Sequence, residues 1–434
     1  MGISTTPPSG FRDFGPQAAA LRARAQEAIS RVYRSFGFSR ITTSGVEDLE
    51  VLLGKGGGEN EKLIFKILKR GEKLELAQGS SDLADLGLRF DLTLPLSRFY
   101  AKHQGELPHP FKAFQIGSVW RAERAQKGRY REFLQCDVDV LGSEHPQNEV
   151  EVISAMSAAL GELGVRETTV VINDRRLLSA ALDEAGVPPE KRGAACVLLD
   201  KLDKMERSAV LAELELALGK DSADRLEKSV LAEGADLEAF SRAAPEPGKA
   251  LERILALLRE CGDGSTKFQF SPSLVRGFDY YTGPVFEFRH PGLAGSLGGG
   301  GRYDGLVSQF GGPKVPACGG SIGFERLMLL LEAAPGAEGG EGPDACVIVF
   351  AEELRAQCLA LAAKLRREGL SVDVFPGQAK LKAQFKYADA TRARYALIIG
   401  PDEAAAHKVK IKDLKTGEER LSGAEELAEA LRKK

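Results

Sequence analysis

Leu21, Ala25, Ile29, Val32 and Phe36 recur at near-helical spacing over residues 16 to 36, and Gly37 closes the run, so an amphipathic helix follows a short arm. Segments 62 to 69, 74 to 77, 86 to 92, 111 to 121 and 131 to 142 are short and strand-like, divided by glycines or charged turns. Apolar spacing predicts helices over 93–103 and 147–163. A mostly antiparallel sheet flanked by helices, an α+β fold, fits this order. From 176 to 262 the texture changes to Ala, Leu, Glu and Lys at helical spacing, as in GAACVLLDKLDKMERSAVLAELELAL, with almost no β-branched runs. Sheet-like sequence returns at 268 to 289 and around SLGGGGRYDGLV, so a first domain, 1–175 and 263–334, is interrupted by a helical insertion at 176–262. The Gly/Pro-rich stretch 335–343 reads as a linker. Beyond it, CVIVF, a helix at 352–368, SVDVF, a helix near 379–391, YALIIG and a closing helix near 422–432 make 344–434 a compact α/β domain.

Composition narrows the class without choosing a function. With 43% hydrophobic and 28% charged residues, the 434-residue chain reads as soluble and globular. Its longest apolar runs, such as ACVIVFA at 345–351, are too short to span a bilayer, and MGISTTPPSG lacks a signal pattern, so we expect no membrane and a cytoplasmic location. Six cysteines without a C-x-x-C pair and five dispersed histidines point to reduced thiols and no structural zinc, and no protein ligand for a metal is assigned. A net charge of −3 means that a nucleic-acid partner must be met by local basic patches.

Five stretches carry candidate chemistry. In FQIGSVWRAERAQKGRYREFLQCDVDV, strand-like ends enclose a loop where Arg121, Arg124, Lys127, Arg129 and Arg131 outnumber Glu123 and Glu132. Guanidinium forks on a hairpin suit phosphate, although a solvated charged hairpin has the same composition. Phe133 offers either a ring face to a base or a core side chain. Gln135, Asp137 and Asp139 alternate, which puts all three on one face, natural for a cleft wall. In LRFDLTLPLSRF, Asp91 and Thr93 share a face where a carboxylate either pairs with an ammonium or caps a helix. The glycines of SLGGGGRYDGLV let backbone approach a ligand without matching a dinucleotide or Walker loop. In GSIGFERLMLLL, Arg326 opposes the dipole of an apolar helix and reaches for an anion or for solvent. Finally, LVRGFDYYTG sets charged and aromatic residues between two glycines in an apolar stretch, so it lies on a surface or lines a site. KMERS, 204 to 208, has a lysine loop's look but sits in the helical block and reads as helix surface.

These pieces together resemble the histidyl-tRNA synthetases, a family of class II aminoacyl-tRNA synthetases, over nearly the whole chain. RAERAQKGRYREFLQ is similar to the second class II motif, GSIGFERL to the third, and LVRGFDYYTG and GGGGRYDGL to the two segments characteristic of the histidine enzyme. FRDFGP and the tail FKYADATRARYALIIG also match, the latter resembling the anticodon-binding domain. The resemblance implies a class II catalytic sheet with a helical insertion, a C-terminal α/β anticodon-binding domain and a homodimer. It also implies histidine activation by ATP with Mg²⁺ on the phosphates, followed by transfer to tRNA(His). It places Arg276 and Arg121 on the α-phosphate, Phe133 on adenine, Arg326 near the γ-phosphate and Glu123 beside the nucleotide. Asp91, Thr93 and Gln135 match the ammonium site, Asp139 and Tyr281 the imidazole site, with Tyr280 beside them. Gln126, Lys127 and Arg129 are placed to meet the acceptor stem, and between 380 and 420 ten Lys or Arg face six Asp or Glu, a local balance suited to RNA. Two departures stand out: Asp91 where many members carry glutamate, and Ser44, in SRITTSGVEDLE, where class II enzymes usually have the proline of the dimer-building first motif. A regulatory paralogue of histidine biosynthesis and a non-charging tRNA sensor are the alternatives; the tail and the retained Arg121, Arg276 and Arg326 count against both.

Overall fold

A computed structural model describes residues 3–54, 59–77, 83–126, 128–203, 205–232, 236–262, 264–276, 281–334, 342–423 and 425–432, which divide into two compact units, 1–337 and 338–434. The first unit is built on an eight-stranded sheet in the order Ser39–Arg40, Phe111–Trp120, Glu132–Leu141, Ala317–Gly323, Gly298–Arg302, Pro284–Arg289, Thr168–Asp174 and Thr266–Phe270. Neighbours run antiparallel except the first and last pairs, which are parallel.

Alternation gives this sheet two unlike faces. Cys136, Val138 and Val140 join the main apolar cluster beside residues of the helices Pro16–Ser35 and Gln147–Glu162. Gln135, Asp137 and Asp139, one step out of phase, share the opposite face. Register carries that face sideways: Asp137 stands opposite Gln115 and Ser321, and Asp139 opposite Ala113 and Gly319. The helix Pro16–Ser35 starts with proline at its first turn, where the missing N–H costs nothing, and ends before Gly37, whose φ of 80° turns the chain. It buries Ala25, Ile29, Val32 and Tyr33, while the second helix buries Val152, Ile153 and Met156; each large apolar side chain so buried contributes about 1.5–3 kcal/mol.

Between the strands Thr168–Asp174 and Thr266–Phe270 the described residues form six α-helices, Arg175–Glu184, Arg192–Leu199, Arg207–Leu218, Lys220–Ser229, Leu237–Ser241 and Pro245–Cys261. Two adjacent parallel strands need a crossover, and this helical block supplies it, with Leu177, Leu214 and Leu251 buried in the same apolar cluster.

In the second unit, Val372–Val374, Ala345–Val349 and Tyr395–Ile399 lie parallel, and Lys408–Asp413 and Glu419–Gly423 add an antiparallel hairpin. Ala345, Val347 and Val349 belong to one apolar cluster, Cys346 and Ile348 to another, which is why CVIVF reads as an unbroken apolar run.

Three sequence expectations change. Residues 74 to 77 are not a strand: Glu72–Leu76 is helical, because Glu, Lys and Leu favour helix and no register holds the segment in a sheet. The closing helix is only Leu427–Arg432, since Glu419–Gly423 pairs with Lys408–Lys412. The strands Thr168–Asp174, Ala317–Gly323 and Lys408–Asp413 were not expected, the second because three of its seven residues are glycines of low strand propensity.

Candidate active site

The basic loop 121–131 joins the two longest strands, Phe111–Trp120 and Glu132–Leu141. It is tied as a tight hairpin at its tip, where Gln126 and Arg129 exchange two backbone hydrogen bonds of 2.9 Å around Gly128 at φ 77°. Lys127 and Tyr280 lie outside the described residues. At the loop base, Arg121 Nε donates to the Phe90 carbonyl (2.9 Å), and its guanidinium sits 5.1 Å from the Phe133 ring centroid. Glu123 lies 3.9 Å from the Arg129 guanidinium, and Gln126 and Arg129 are exposed.

A cavity of about 260 Å³ gathers Arg121, Glu123, Arg129, Phe133, Gln135, Arg276 and Arg326 on its walls. Arg276 Nη1 is steadied by Glu287 (3.2 Å) and the Gly298 carbonyl (3.4 Å). Arg326, at the start of the helix Phe324–Ala333, turns into the cavity and donates to the carbonyl and hydroxyl of Ser296. Burial lowers its pKa, and the charges of Arg129 and Arg276 lower it further, against the opposing effect of Glu287. Such a concentration of guanidiniums favours a polyanion.

Deeper on the same face lie three carboxylates that burial makes reluctant to ionise. Asp139 is raised to about 7, mainly by burial, against the hydrogen bond it accepts from the Tyr303 hydroxyl at 2.6 Å. Asp91 is raised to about 6 by burial, against the Leu94 N–H at 3.1 Å and the Arg121 and Arg89 guanidiniums. It therefore does brace the start of the helix Thr93–His103, whose first residue is the half-buried Thr93. Asp137 is pushed well above the usual carboxylate range by burial and by the Asp139 charge. One oxygen each of Gln135, Asp137 and Asp139 is buried without a hydrogen-bond partner among the described residues, a demand for donors that a ligand can meet.

Glycines make this crowding possible. A Cβ on Gly319 would lie 1.8 Å from Asp139 Oδ1, and one on Gly299 would lie 2.2 Å from Arg276 Nη1. The glycine stretches thus make room for functional side chains inside paired strands, rather than forming an open loop. Tyr281 is not brought to the lining of the cavity; it packs beside Leu274 and Val285.

Sequence reasoning missed Tyr303, whose role follows only from strand pairing, and Asp137, visible in the alternation but given no part. It also left Glu325 without a function. This carboxylate, 4% exposed, is held bidentately by Arg22 (2.8 and 2.7 Å) and again by Arg12; burial alone would raise its pKa, but these guanidiniums win and lower it.

An antiparallel sheet with arginines converging beside a half-buried ring, joined in one chain to residues 344–434 that match an anticodon binding domain, is the build of an aminoacyl-tRNA synthetase. The family model described as histidyl-tRNA synthetase matches residues 10–327, and the chain belongs to that family. A histidine–tRNA ligase from Leifsonia xyli subsp. xyli is 41% identical over 425 residues, covering 93% of this chain and 97% of its own length. One from Porphyromonas gingivalis is 37% identical, covering 96% and 97%. The crystal structure of the histidyl-tRNA synthetase from Nostoc sp. PCC 7120 superposes with a TM-score of 0.84 at 30% identity, covering 99% of both chains.

Proposed function

We propose that the chain is a histidine–tRNA ligase that activates L-histidine with ATP and transfers it to the 3′ end of tRNA(His). The observation that carries this reading is the meeting of Arg121, Arg129, Arg276 and Arg326 in one cavity with the Phe133 ring, above a row of buried acceptors. Adenine stacks on Phe133 and the triphosphate lies among the guanidiniums, Arg326 toward its γ-phosphate. Asp91, Thr93 and the free oxygen of Gln135 take the histidine ammonium. Asp139 and Tyr281, with Tyr280 beside them, take the two ring nitrogens. A pocket that would leave an acid and a tyrosine unpaired discriminates strongly against apolar analogues.

In the first step a carboxylate oxygen of histidine attacks the α-phosphorus, the bond to the β-phosphate oxygen breaks, and pyrophosphate leaves. Arg121 and Arg276 stabilise charge on the α-phosphoryl oxygens, so positioning and electrostatics carry the catalysis without a protein nucleophile. In the second, a terminal ribose hydroxyl of the tRNA attacks the activated carbonyl and AMP departs. Mg²⁺ bound to the ATP phosphates would supply charge neutralisation there. Glu325 is engaged by two arginines and Glu123 lies 3.9 Å from the Arg129 guanidinium, so we assign the ion to the ATP phosphates and no protein ligand to it.

Gln126, Lys127 and Arg129 meet the acceptor stem, and the domain from 344 meets the anticodon. The domain scheme is a catalytic domain in two parts, 1–175 and 263–334, a helical insertion at 176–262, a linker at 335–343 and the anticodon-binding domain at 344–434. The class II assignment carries with it a homodimer. Arg89, which donates to the Thr43 and Ser44 carbonyls at 2.9 and 3.2 Å, supports the segment where Ser44 replaces proline. No described helix is long and apolar enough to cross a membrane, which fits the cytoplasmic location we propose.

ATP–pyrophosphate exchange without tRNA, run with each amino acid in turn, tests the reading. Exchange with histidine alone is expected; folded protein that exchanges none would move the assignment to the regulatory or sensor alternative.

A further inference from the structure

The N-terminal arm runs along both walls of the cavity. Gly10 accepts a hydrogen bond from the Arg131 N–H (2.9 Å) and Ser9 one from the Arg131 guanidinium (3.3 Å), which ties the arm to the base of the 121–131 loop. The fit is close: Gly10 has φ 87°, and a Cβ there would lie 2.7 Å from Arg131 Cγ. Two residues on, the Arg12 guanidinium lies 3.3 Å from the Tyr130 ring centroid and donates to Glu325 Oε2. Tyr130 and Glu325 both line the cavity; the first is beside Arg129 on the loop, the second beside Arg326 on the helix. Arg12 is therefore a link between the two cavity walls that carry the phosphate-facing arginines.

Its removal would not strand a buried charge, because Glu325 keeps the bidentate fork of Arg22. What would be lost is the hold on Tyr130, a cation–π contact well inside the usual range, and with it the loop's set distance from the helix. We propose that Arg12 is a positioning residue for the nucleotide: it holds the loop bearing Arg121 and Arg129 against the helix bearing Arg326, so that both walls grip one triphosphate. The inference rests on the assignment of ATP to this cavity.

The test compares wild type with Arg12→Met and Arg12→Lys for the KM of ATP, the KM of histidine and the melting temperature. Arg12→Met should raise the ATP KM by about tenfold, as misplaced binding groups do, and leave the histidine KM within about twofold. Lysine keeps the charge without the flat fork and should fall between. Tyr130→Leu should mimic Arg12→Met, and the double variant should be worse than either single by no more than about twofold. An unchanged ATP KM, or an equal rise in both KM values with a lowered melting temperature, would overturn the proposal. Calorimetric titration with ATP keeps it separable from the reaction assignment. If wild type exchanges no amino acid, that assignment fails, while a weakened or unchanged ATP Kd in Arg12→Met still supports or overturns the role of Arg12.

Discussion

Asp139 is held where its charge is least welcome, buried on the sheet face with Asp137 and Asp91 nearby. Its folded pKa of about 7 lies above the unfolded carboxylate value near 3.9, so the folded state holds the proton more tightly. Stability from this group is fully present below the unfolded value and is lost as pH rises to about 7. Melting temperature of the unliganded protein should therefore decline from pH 4 to 7 more steeply in wild type than in Asp139→Asn. Parallel curves would show that Asp139 ionises normally. Arg276 makes a different prediction. Its partner Glu287 is also met by Arg289 at 3.3 Å, so Arg276→Ala leaves no orphaned carboxylate. Histidine-dependent pyrophosphate exchange should fall by about 10²–10³ or more, with the circular dichroism spectrum and tRNA binding largely retained. Loss of folding instead would make Arg276 structural.

Adjacent glycine strands divide into those that accommodate a side chain and those that accommodate a backbone. At Gly319 a methyl would meet chiefly the Asp139 carboxylate, with the Val138 carbonyl at 2.9 Å, whereas at Gly300 it would lie 2.0 Å from the Gly319 carbonyl and 2.5 Å from Gly320 Cα. Gly319→Ala should fold and raise the histidine KM by about tenfold or more, while Gly300→Ala should fail to give folded protein. The two outcomes exchanged would refute the division. The same strands mark the limit of sequence reading. The strand Glu132–Leu141 was legible because Cys136, Val138 and Val140 alternate with Gln135, Asp137 and Asp139. Ala317–Gly323 was not, because ACGGSIG has few side chains to alternate and is defined as a strand by pairing on both sides.

The two units of the chain have separate apolar clusters, those of the first within residues 25–328 and those of the second within 345–431. A chain ending at 337 should then retain histidine-dependent pyrophosphate exchange within about threefold and lose about tenfold or more in tRNA charging, tRNA contacts of the second unit being worth at least ~1.4 kcal/mol. Loss of exchange in the truncated but folded protein would show that the second unit supports the chemistry itself. Undiminished charging would remove the anticodon role from 344–434.

Local patterns by themselves determined much: the helix that opens the chain, the long hairpin with its basic loop, the helical block, the apolar run CVIVF, and the motifs on which Arg121, Phe133, Arg276 and Arg326 were assigned. Periodicity and motif spacing are properties of neighbours along the chain, so they survive without coordinates. Only the tertiary structure decided that Tyr303 donates to Asp139 across 164 residues, that glycines clear space for Arg276 and Asp139, and that Arg12 reaches Glu325 across 313. Those contacts join residues far apart in sequence through strand register and packing, and no local pattern records which distant side chains will meet.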